Sequence, residues 1–374
     1  MLENLQNQNF ELALNLTRLD MIKFILPMLF AFAFGMLSAS PLADFLYKNK
    51  LWRKKSANKA VDGSSAAISY KLHNDARRQV PRMGGLVIVA GVLLTAGILY
   101  VTSYITHNPV VGKLNFVSRG QTWLPLFGFI VGAMVGFVDD MMVCGKLSFF
   151  GKYVGGGLSL KFRLGVVSLI ALLTGWWIVA KQAITSTYFP FFGEVKIASL
   201  LFFFIVFMVI ISTYASNIID GVDGLSGGVF GIILITLGLI SVLQSKYDLA
   251  TLCFVSSGAI FAFLWFNIPP ARFFMSEVGS TALTIMIGII VVSTNTIVYF
   301  PIIGFPLVIT VLSAVSQIIS KKMLGRKIFI VAPLHNHLQM KGWPGYKVTM
   351  RYWVISTVSA ISGLVIYIIS NYAK

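Results

Sequence analysis

The sequence is poor in charged residues and poorest in acidic ones. Only 11% of its residues are charged and 57% are hydrophobic, against about 25% charged in an ordinary soluble domain. This composition argues against a soluble globular enzyme. The two cysteines, Cys144 and Cys253, lie beside or within apolar runs, so neither a disulfide framework nor a zinc ribbon is predicted.

Long apolar runs are abundant. A helix needs about 20 apolar residues to cross a bilayer core of about 30 Å. Ten runs meet this length, at 22–46, 83–105, 123–143, 164–180, 197–216, 227–243, 249–266, 281–300, 302–320 and 353–369. They are continuous and lack the alternation of membrane-barrel strands. The sequence therefore predicts an all-α integral membrane protein, with a polar N-terminal extension at 1–20 and one polytopic domain at 21–374.

The positive charges are unevenly distributed between the loops. Of the 30 Lys and Arg, 22 lie in loops that follow odd-numbered spans and 5 in loops that follow even-numbered spans. Because Lys and Arg concentrate in cytoplasmic loops, the odd-numbered loops are predicted to be cytoplasmic and both termini outside. The net charge of +17 is then explained by topology and anionic lipid, and no nucleic-acid partner is predicted.

Five of the 13 acidic residues lie in three short motifs. Asp139 and Asp140 end the third span in GFVDD, Asp220 and Asp223 follow the fifth in NIIDGVDGLSGG, and Glu277 follows the seventh in FFMSEVGS. Carboxylates at membrane depth are costly and usually functional. Each motif alone could cap a span or form a turn, but all three are predicted on the cytoplasmic face and could converge there.

The chemistry of these motifs favours a hard cation. Adjacent carboxylates repel unless a cation neutralises them, and Mg²⁺ takes one or two carboxylates together with water and phosphate oxygens. His335 and His337, in APLHNHLQMKGWP, suit phosphate binding or substrate positioning. Arg77, Arg78 and Arg82 precede Gly84 and Gly85; this basic segment either sets topology or lets the backbone approach a ligand closely.

These motifs, in this order, resemble those of a known family. PRMGG (81–85), GFVDD (136–140), NIIDGVDGLSG (217–227), FNIPPARFFMSEVGS (266–280) and APLHNHLQMKGWP (332–344) resemble the polyprenyl-phosphate N-acetylhexosamine-1-phosphate transferases. The last motif resembles their phospho-N-acetylmuramoyl-pentapeptide transferase branch. The resemblance extends from about residue 80 to the C-terminus.

The resemblance implies a ten-helix enzyme of the bacterial inner membrane, usually a homodimer, with its active site facing the cytoplasm. It implies transfer of phospho-MurNAc-pentapeptide from its UDP carrier to undecaprenyl phosphate, with Mg²⁺ as cofactor. It also implies a metal ligand at Glu277 and a base for the lipid phosphate at Asp139. Further implied active-site residues are Asp140, Asp220, Asp223 and His335. The implied substrate-binding residues are Asn217, Gly221, Val222, Asn267, Phe274, His337, Arg77 and Arg163, with Gly221, Val222, Asp223 and Phe274 around the uracil.

Several positions depart from the family pattern. The family's Gly-Asp pair is Ser276-Glu277 here, and the middle histidine of its triplet is Asn336. The segment VPRMGG is closer to the transferases that use N-acetylglucosamine. Three alternatives therefore stay open: a sibling transferase for another UDP-linked N-acetylhexosamine, an ion-coupled transporter that uses the same carboxylates, and an inactive family member.

Overall fold

The computed structural model describes residues 2–53, 79–106, 109–147, 157–181 and 183–372. Within this part of the chain, ten helices have the length and hydropathy to cross a membrane. Spans 1 to 10 are Met21–Lys48, Leu86–Thr106, Trp123–Val143, Leu160–Lys181, Ser199–Ile219, Leu225–Leu243, Tyr247–Asn267, Ser276–Ser293, Phe305–Leu324 and Gly345–Asn371. The predicted number of spans and the helical fold class are confirmed. The positions of the termini outside the membrane and of the loops in the cytoplasm stay predictions.

Several spans begin or end in shorter elements. Span 4 is an α-helix over Leu160–Trp176 that ends in a π-helical turn, Trp177–Lys181, and span 5 is an α-helix over Ser199–Ala215 that ends in a 3₁₀ turn, Ser216–Ile219. The helix of span 10 runs over Gly345–Tyr372. Short helices cover Pro109–Leu114, Phe300–Ile303 and Leu334–Met340.

The loop between spans 4 and 5 contains a β-hairpin, which the sequence did not predict. Strands Ser186–Phe189 and Gly193–Lys196 pair antiparallel, with Phe189 opposite Gly193. The apolar runs that predicted helices do not include this segment, which is too short to cross a membrane. The hairpin leaves the fold class unchanged.

Spans 6, 7 and 8 form the centre of the protein. More than three quarters of the residues in their apolar stretches are buried, against half or fewer in the other seven described spans. Span 8 packs along span 3, and span 7 along span 1. A helix that is apolar on all sides is suited to such a central position. Close packing needs small residues: a Cβ atom at Gly136 in span 3 would collide with the backbone oxygen of Glu277.

Two boundaries differ from the prediction in a way that affects the site. Span 8 begins at Ser276 and not at 281, so Glu277 lies in its first turn and not in the preceding loop. Hydropathy missed this turn because Ser276, Glu277 and Ser280 are polar; the Glu277 carboxylate is stabilised there by Arg163 of span 4 and Asn217 of span 5. Span 10 begins at Gly345 and not at 353. There, Lys347 and Arg351 lie over the Trp343 ring, 5.3 and 4.1 Å from its centroid.

The polar N-terminal residues are helical. Residues 2–20 continue into span 1 as one helix, Leu2–Lys48. No break in secondary structure marks the boundary that composition predicts between residues 20 and 21.

Candidate active site

The first turn of span 8 brings together acids from three parts of the chain. Asp139 and Asp140 lie near the C-terminal end of span 3, Asp220 directly follows span 5, and Glu277 is the second residue of span 8. Asp140 and Asp220 each accept a backbone N–H of that turn, and Asp139 and Glu277 both lie within 4.0 Å of the Arg163 guanidinium. The predicted convergence of the three motifs at one end of the bundle is therefore present in the structure.

Two of the acids hold the backbone on either side of Glu277. The N–H of Ser276 donates to Oδ2 of Asp220 at 2.9 Å. The N–H of Val278 donates to Oδ2 of Asp140 at 3.0 Å. The first N–H groups of a helix have no partner within the helix, so carboxylates satisfy them well. We call Asp140 and Asp220 the clamp pair, because together they fix the position of Glu277.

The second oxygen of each clamp carboxylate is also bonded. Nε of Arg82 donates to Oδ1 of Asp140 at 3.0 Å, and the Asp140 side chain is fully buried. Burial lowers the pKa of the Arg82 guanidinium, but the charge of Asp140 and its hydrogen bond outweigh burial and raise that pKa overall. Oγ of Ser226 donates to Oδ1 of Asp220 at 2.7 Å. Burial raises the pKa of Asp220, against the opposing effects of these hydrogen bonds and of Arg82.

Glu277 and Asp139 face a shared cation. Nη1 of Arg163, near the start of span 4, lies 3.0 Å from Oε1 of Glu277 and 4.0 Å from Oδ1 of Asp139. Oε2 of Glu277 accepts from Asn217 at 3.1 Å and from Thr281 at 3.0 Å. The Asp139 carboxylate also accepts from the N–H of Leu158 at 2.7 Å. We call Glu277 and Asp139 the facing pair.

The facing pair has the donor chemistry of a hard cation site. Its carboxylate oxygens already converge on one positive group, the Arg163 guanidinium. The described residues contain no group of three or more His, Cys, Asp or Glu that could hold a metal. Mg²⁺ commonly uses only one or two carboxylates and completes its shell with water and substrate phosphate. The residues therefore fit Mg²⁺ if Arg163 exchanges its place with the ion.

Ser276 has an unusual backbone conformation for a residue with a side chain. Its φ is +59°, in the left-handed region that favours glycine. Its hydroxyl is buried and has no hydrogen-bond partner among the described residues. The strained residue is the one whose N–H bonds to Asp220.

A cavity of about 670 Å³ opens beside the clamp pair. Its volume is within the range of about 300–1,000 Å³ that small-molecule sites usually have. The lining residues are Val80, Arg82, Asp220, Gly221, Val222, Asp223, Asn267, Pro269, Pro270, Ala271, Phe274, Ser276, Gln339, Gly345 and Tyr346. The motifs that begin at residues 81, 217, 266 and 332 all contribute to its wall.

Six predicted site residues lie on this wall: Asp220, Gly221, Val222, Asp223, Asn267 and Phe274. Asn267 uses its amide to shape the cavity, since its Oδ1 accepts from Gly224 at 2.8 Å and its Nδ2 donates to the oxygen of Phe273 at 2.8 Å. Asp223 accepts from the N–H of Ala271 at 3.3 Å.

Comparison with known proteins identifies the family. The model of glycosyl transferase family 4 matches residues 122–295, which include both carboxylate pairs and Asp223. A phospho-N-acetylmuramoyl-pentapeptide-transferase from Rhodopseudomonas palustris is 32% identical over 77% of this chain and 80% of its own length. One from Rubrobacter xylanophilus is 30% identical over 79% of this chain and 85% of its own length. The chain belongs to the phospho-N-acetylmuramoyl-pentapeptide-transferase family. It is therefore a phosphoglycosyl transferase and a multi-pass membrane protein.

Not every predicted residue of this transferase reaches the cavity or the carboxylates. His335 is 1% exposed, packs edge-on against Tyr352, and does not line the cavity. A Cβ on Gly221 would lie 2.8 Å from Nε2 of His335, so this glycine gives room to the histidine and not only to a ligand. Nδ1 of His337 accepts from the N–H of Ile330 at 3.2 Å, and burial with nearby Lys341 lowers its pKa. Arg77 lies outside the described residues.

The glycine pair before span 2 has a different role from the predicted one. The N–H groups of Gly84 and Gly85 donate to the oxygens of Phe274 and Met275 at 2.7 and 3.0 Å. A Cβ on Gly85 would lie 2.5 Å from the backbone of Gly279. The pair therefore allows close approach of span 8 and not of a ligand.

Several residues of the candidate site were not assigned from the sequence. Arg82 and Ser276 contact the clamp pair and also line the cavity, and Gln339 and Tyr346 are further lining residues. Arg82 was identifiable only as part of the basic segment. Gln339 was inside the histidine motif, but nothing in that motif distinguished it from its neighbours.

Proposed function

We propose that this chain transfers phospho-MurNAc-pentapeptide from UDP-MurNAc-pentapeptide to undecaprenyl phosphate, releasing UMP and forming lipid I for peptidoglycan synthesis. The observation that carries the proposal is the position of the cavity directly beside the clamped first turn of span 8. A nucleotide in the cavity would have its diphosphate next to Arg82 and the carboxylates. The names of the two relatives support this choice of substrates.

We assign the nucleotide to the cavity and the reacting phosphates to the facing pair. Gly221, Val222, Asp223 and Phe274 would surround the uracil, and Arg82 lies on the same wall. Glu277, with Asp139 nearby, would hold Mg²⁺. When bound, Mg²⁺ neutralises diphosphate charge, a main requirement of phosphoryl transfer.

The other residues of the site position these groups or carry protons. Asp139 would accept the proton of the lipid phosphate. Arg163, 3.0 Å from Glu277, would pair with a phosphate when it leaves the carboxylates, since a guanidinium binds two phosphate oxygens at once. Asn217 would keep Glu277 oriented through its 3.1 Å hydrogen bond. His335, His337 and Arg77 are further proposed substrate contacts. His335 is buried and would have to move to reach a substrate. Arg77 lies outside the described residues.

Orientation and assembly complete the proposal. The excess of Lys and Arg in odd-numbered loops supports a cytoplasmic site in the bacterial inner membrane, with both termini outside. We also propose a homodimer, as the family implies. Cysteine accessibility in sealed vesicles would test the orientation, and mass photometry in nanodiscs would test the dimer.

The decisive experiment measures UMP release by the purified protein with undecaprenyl phosphate and Mg²⁺. UDP-MurNAc-pentapeptide and UDP-GlcNAc are compared as donors, each with and without EDTA. We expect UMP from the first donor only, and none with EDTA. UMP from UDP-GlcNAc alone would reject the proposed donor, and UMP from neither would support an inactive family member.

The UDP-GlcNAc reaction is the second candidate because of the sequence around Arg82 and the position of that residue. VPRMGG resembles the transferases that use N-acetylglucosamine, and its Arg82 both pairs with Asp140 and lines the cavity. A residue in that position could influence donor choice. The donor comparison distinguishes the two reactions directly.

A further inference from the structure

The β-hairpin between spans 4 and 5 lies at the end of the bundle opposite the carboxylates. Arg163, at the start of span 4, contacts Glu277, and the hairpin follows the other end of that span. Its base is fixed to the bundle. Nδ2 of Asn295 donates to the oxygen of Ser186, and the hydroxyl of Tyr188 donates to the oxygen of Ser370, each at 3.2 Å.

The tip of the hairpin, Phe189–Gly193, exposes three phenylalanines. Phe189 is 37% exposed, Phe191 72% and Phe192 89%. Phe192 is the most exposed large apolar side chain in the part of the chain that the structure describes. Phe191 has a φ of +65°, a conformation that costs about 1–2 kcal/mol for a residue with a side chain. The phenyl rings at the tip are therefore exposed in a turn whose backbone is strained at Phe191.

Water is a poor environment for this tip. Burial of one phenylalanine side chain is worth about 1.5–3 kcal/mol, and a cluster of exposed apolar side chains usually marks an interaction surface. No charged residue occurs between Lys181 and Glu194. The tip therefore lacks the charged residues that would keep it in solvent.

The spans next to the tip carry exposed apolar side chains. Tyr188 bonds to Ser370 at the end of span 10. That span carries an exposed apolar stripe leading toward this end, formed by Val358, Ile361, Val365, Ile368 and Ile369. The α-helix of span 4 ends at Trp176, which is half exposed and has the Lys181 ammonium, at the end of that span, 5.7 Å from its ring centroid. Aromatic residues and lysines at span ends are typical of the membrane interface.

We propose that the phenylalanine tip inserts into the boundary between headgroups and acyl chains, in the leaflet opposite the carboxylate site. Interfacial segments of proteins commonly bury apolar side chains about 5–10 Å into this boundary. The tip lies next to the end of the exposed apolar stripe of span 10, to which Tyr188 is bonded. We therefore assign the same partner, membrane lipid, to the stripe and to the tip. The hairpin would hold the ends of spans 4, 8 and 10 at a fixed depth.

Site-directed spin labelling tests the proposal on the full chain in nanodiscs of phosphatidylethanolamine and phosphatidylglycerol. A nitroxide is attached at Phe192→Cys and, separately, at Phe191→Cys. The native Cys144 and Cys253 are fully buried, and labelled wild-type protein gives the background. The matched control is Lys196→Cys, which lies on the same hairpin opposite Ser186 at its base.

Collision with oxygen, which concentrates in lipid, is compared with collision with a water-soluble nickel chelate. We expect a severalfold higher oxygen-to-nickel ratio at positions 191 and 192 than at 196. Equal ratios at all three positions would place the tip in water and overturn the proposal. Exclusion of both reagents at 191 and 192 would indicate a protein contact, including one with a second copy, and would also overturn it. Labelling two tip positions guards against a local effect of either substitution.

Discussion

The clamp pair and the facing pair lie around the same turn of span 8 but differ in their bonding. Asp140 and Asp220 each accept a backbone N–H of that turn with one oxygen and a side-chain donor with the other. Glu277 accepts from side chains alone, one of them the Arg163 guanidinium, which also lies 4.0 Å from Asp139. Four carboxylates within one site therefore need not share one role.

The difference teaches how fixed and exchangeable charge are combined in one site. The hydrogen bonds to the backbone of span 8 cannot be given up without moving that helix, so the clamp pair is committed to structure. Asp139 also accepts a backbone N–H, but from Leu158, outside that turn. A guanidinium on a flexible side chain can leave, so the facing pair can exchange it for another cation. The clamp pair would then keep Glu277 in place while its partner changes, which is the preorganisation that charge stabilisation requires.

The largest expected effect comes from breaking the clamp. In Asp140→Asn, Arg82, whose side chain is 16% exposed, loses its charged and fully buried partner, and breaking a buried ion pair typically costs about 3–5 kcal/mol. We therefore expect a marked fall in thermal stability together with loss of UMP release. Thermal unfolding in detergent measures the stability.

Asp223→Asn is the control for the clamp variant. Asp223 lines the cavity and accepts one backbone N–H at 3.3 Å, without an ion pair among the described residues. We expect its stability to stay near that of the wild type. Equal destabilisation by the two variants would remove the distinction between the clamp and the other acids.

The next largest effect comes from the facing pair. Glu277→Gln retains an oxygen that can accept from Asn217 or Thr281 but loses the charge that faces Arg163. We expect a fall in kcat of about a hundredfold or more, the usual cost of removing one preorganised group that stabilises charge, with thermal stability largely retained. Retained turnover would assign the metal to another residue. Glu277→Asp, which restores the family residue, need not recover activity, because the clamp positions a longer side chain.

The sequence predicted where the acids meet, but not which of them belong to the clamp pair and which to the facing pair. The ten spans and the meeting of three acidic motifs were predictable, since both depend on where apolar and charged residues fall along the chain. The roles within the motifs were not, because Asp139 and Asp140 are adjacent in sequence yet bond to different groups. Gly84 and Gly85 show the same limit: sequence indicated close backbone approach, but only the structure identifies Phe274 and Met275 as the partners.

A smaller effect is expected from removing the cation of the facing pair. Arg163→Gln leaves Glu277 and Asp139 without their shared positive charge, which should make the pair a stronger divalent site. We expect severalfold tighter Mn²⁺ binding, measured by electron paramagnetic resonance without substrate, together with lower kcat. Lys161→Gln, on the same helix but without a described contact to the carboxylates, is the matched control. Unchanged Mn²⁺ affinity would show that Arg163 does not compete with the metal.

The smallest effect concerns strain inside the clamp. Ser276→Gly removes a side chain from a residue with φ of +59°, a conformation that costs about 1–2 kcal/mol with a Cβ, and glycine returns part of that gain through its greater unfolded-state freedom. It also removes a buried hydroxyl that has no partner among the described residues. Ser276→Ala removes the hydroxyl alone and keeps the strain. We therefore expect the free energy of unfolding to be higher in Ser276→Gly than in Ser276→Ala, with a difference of about 1 kcal/mol or less. Thermal unfolding of the two variants measures this difference. If Ser276→Ala were the more stable of the two, the unfolded-state freedom of glycine would outweigh the relief of backbone strain. The positive φ of Ser276 would then not be a significant cost to the clamp.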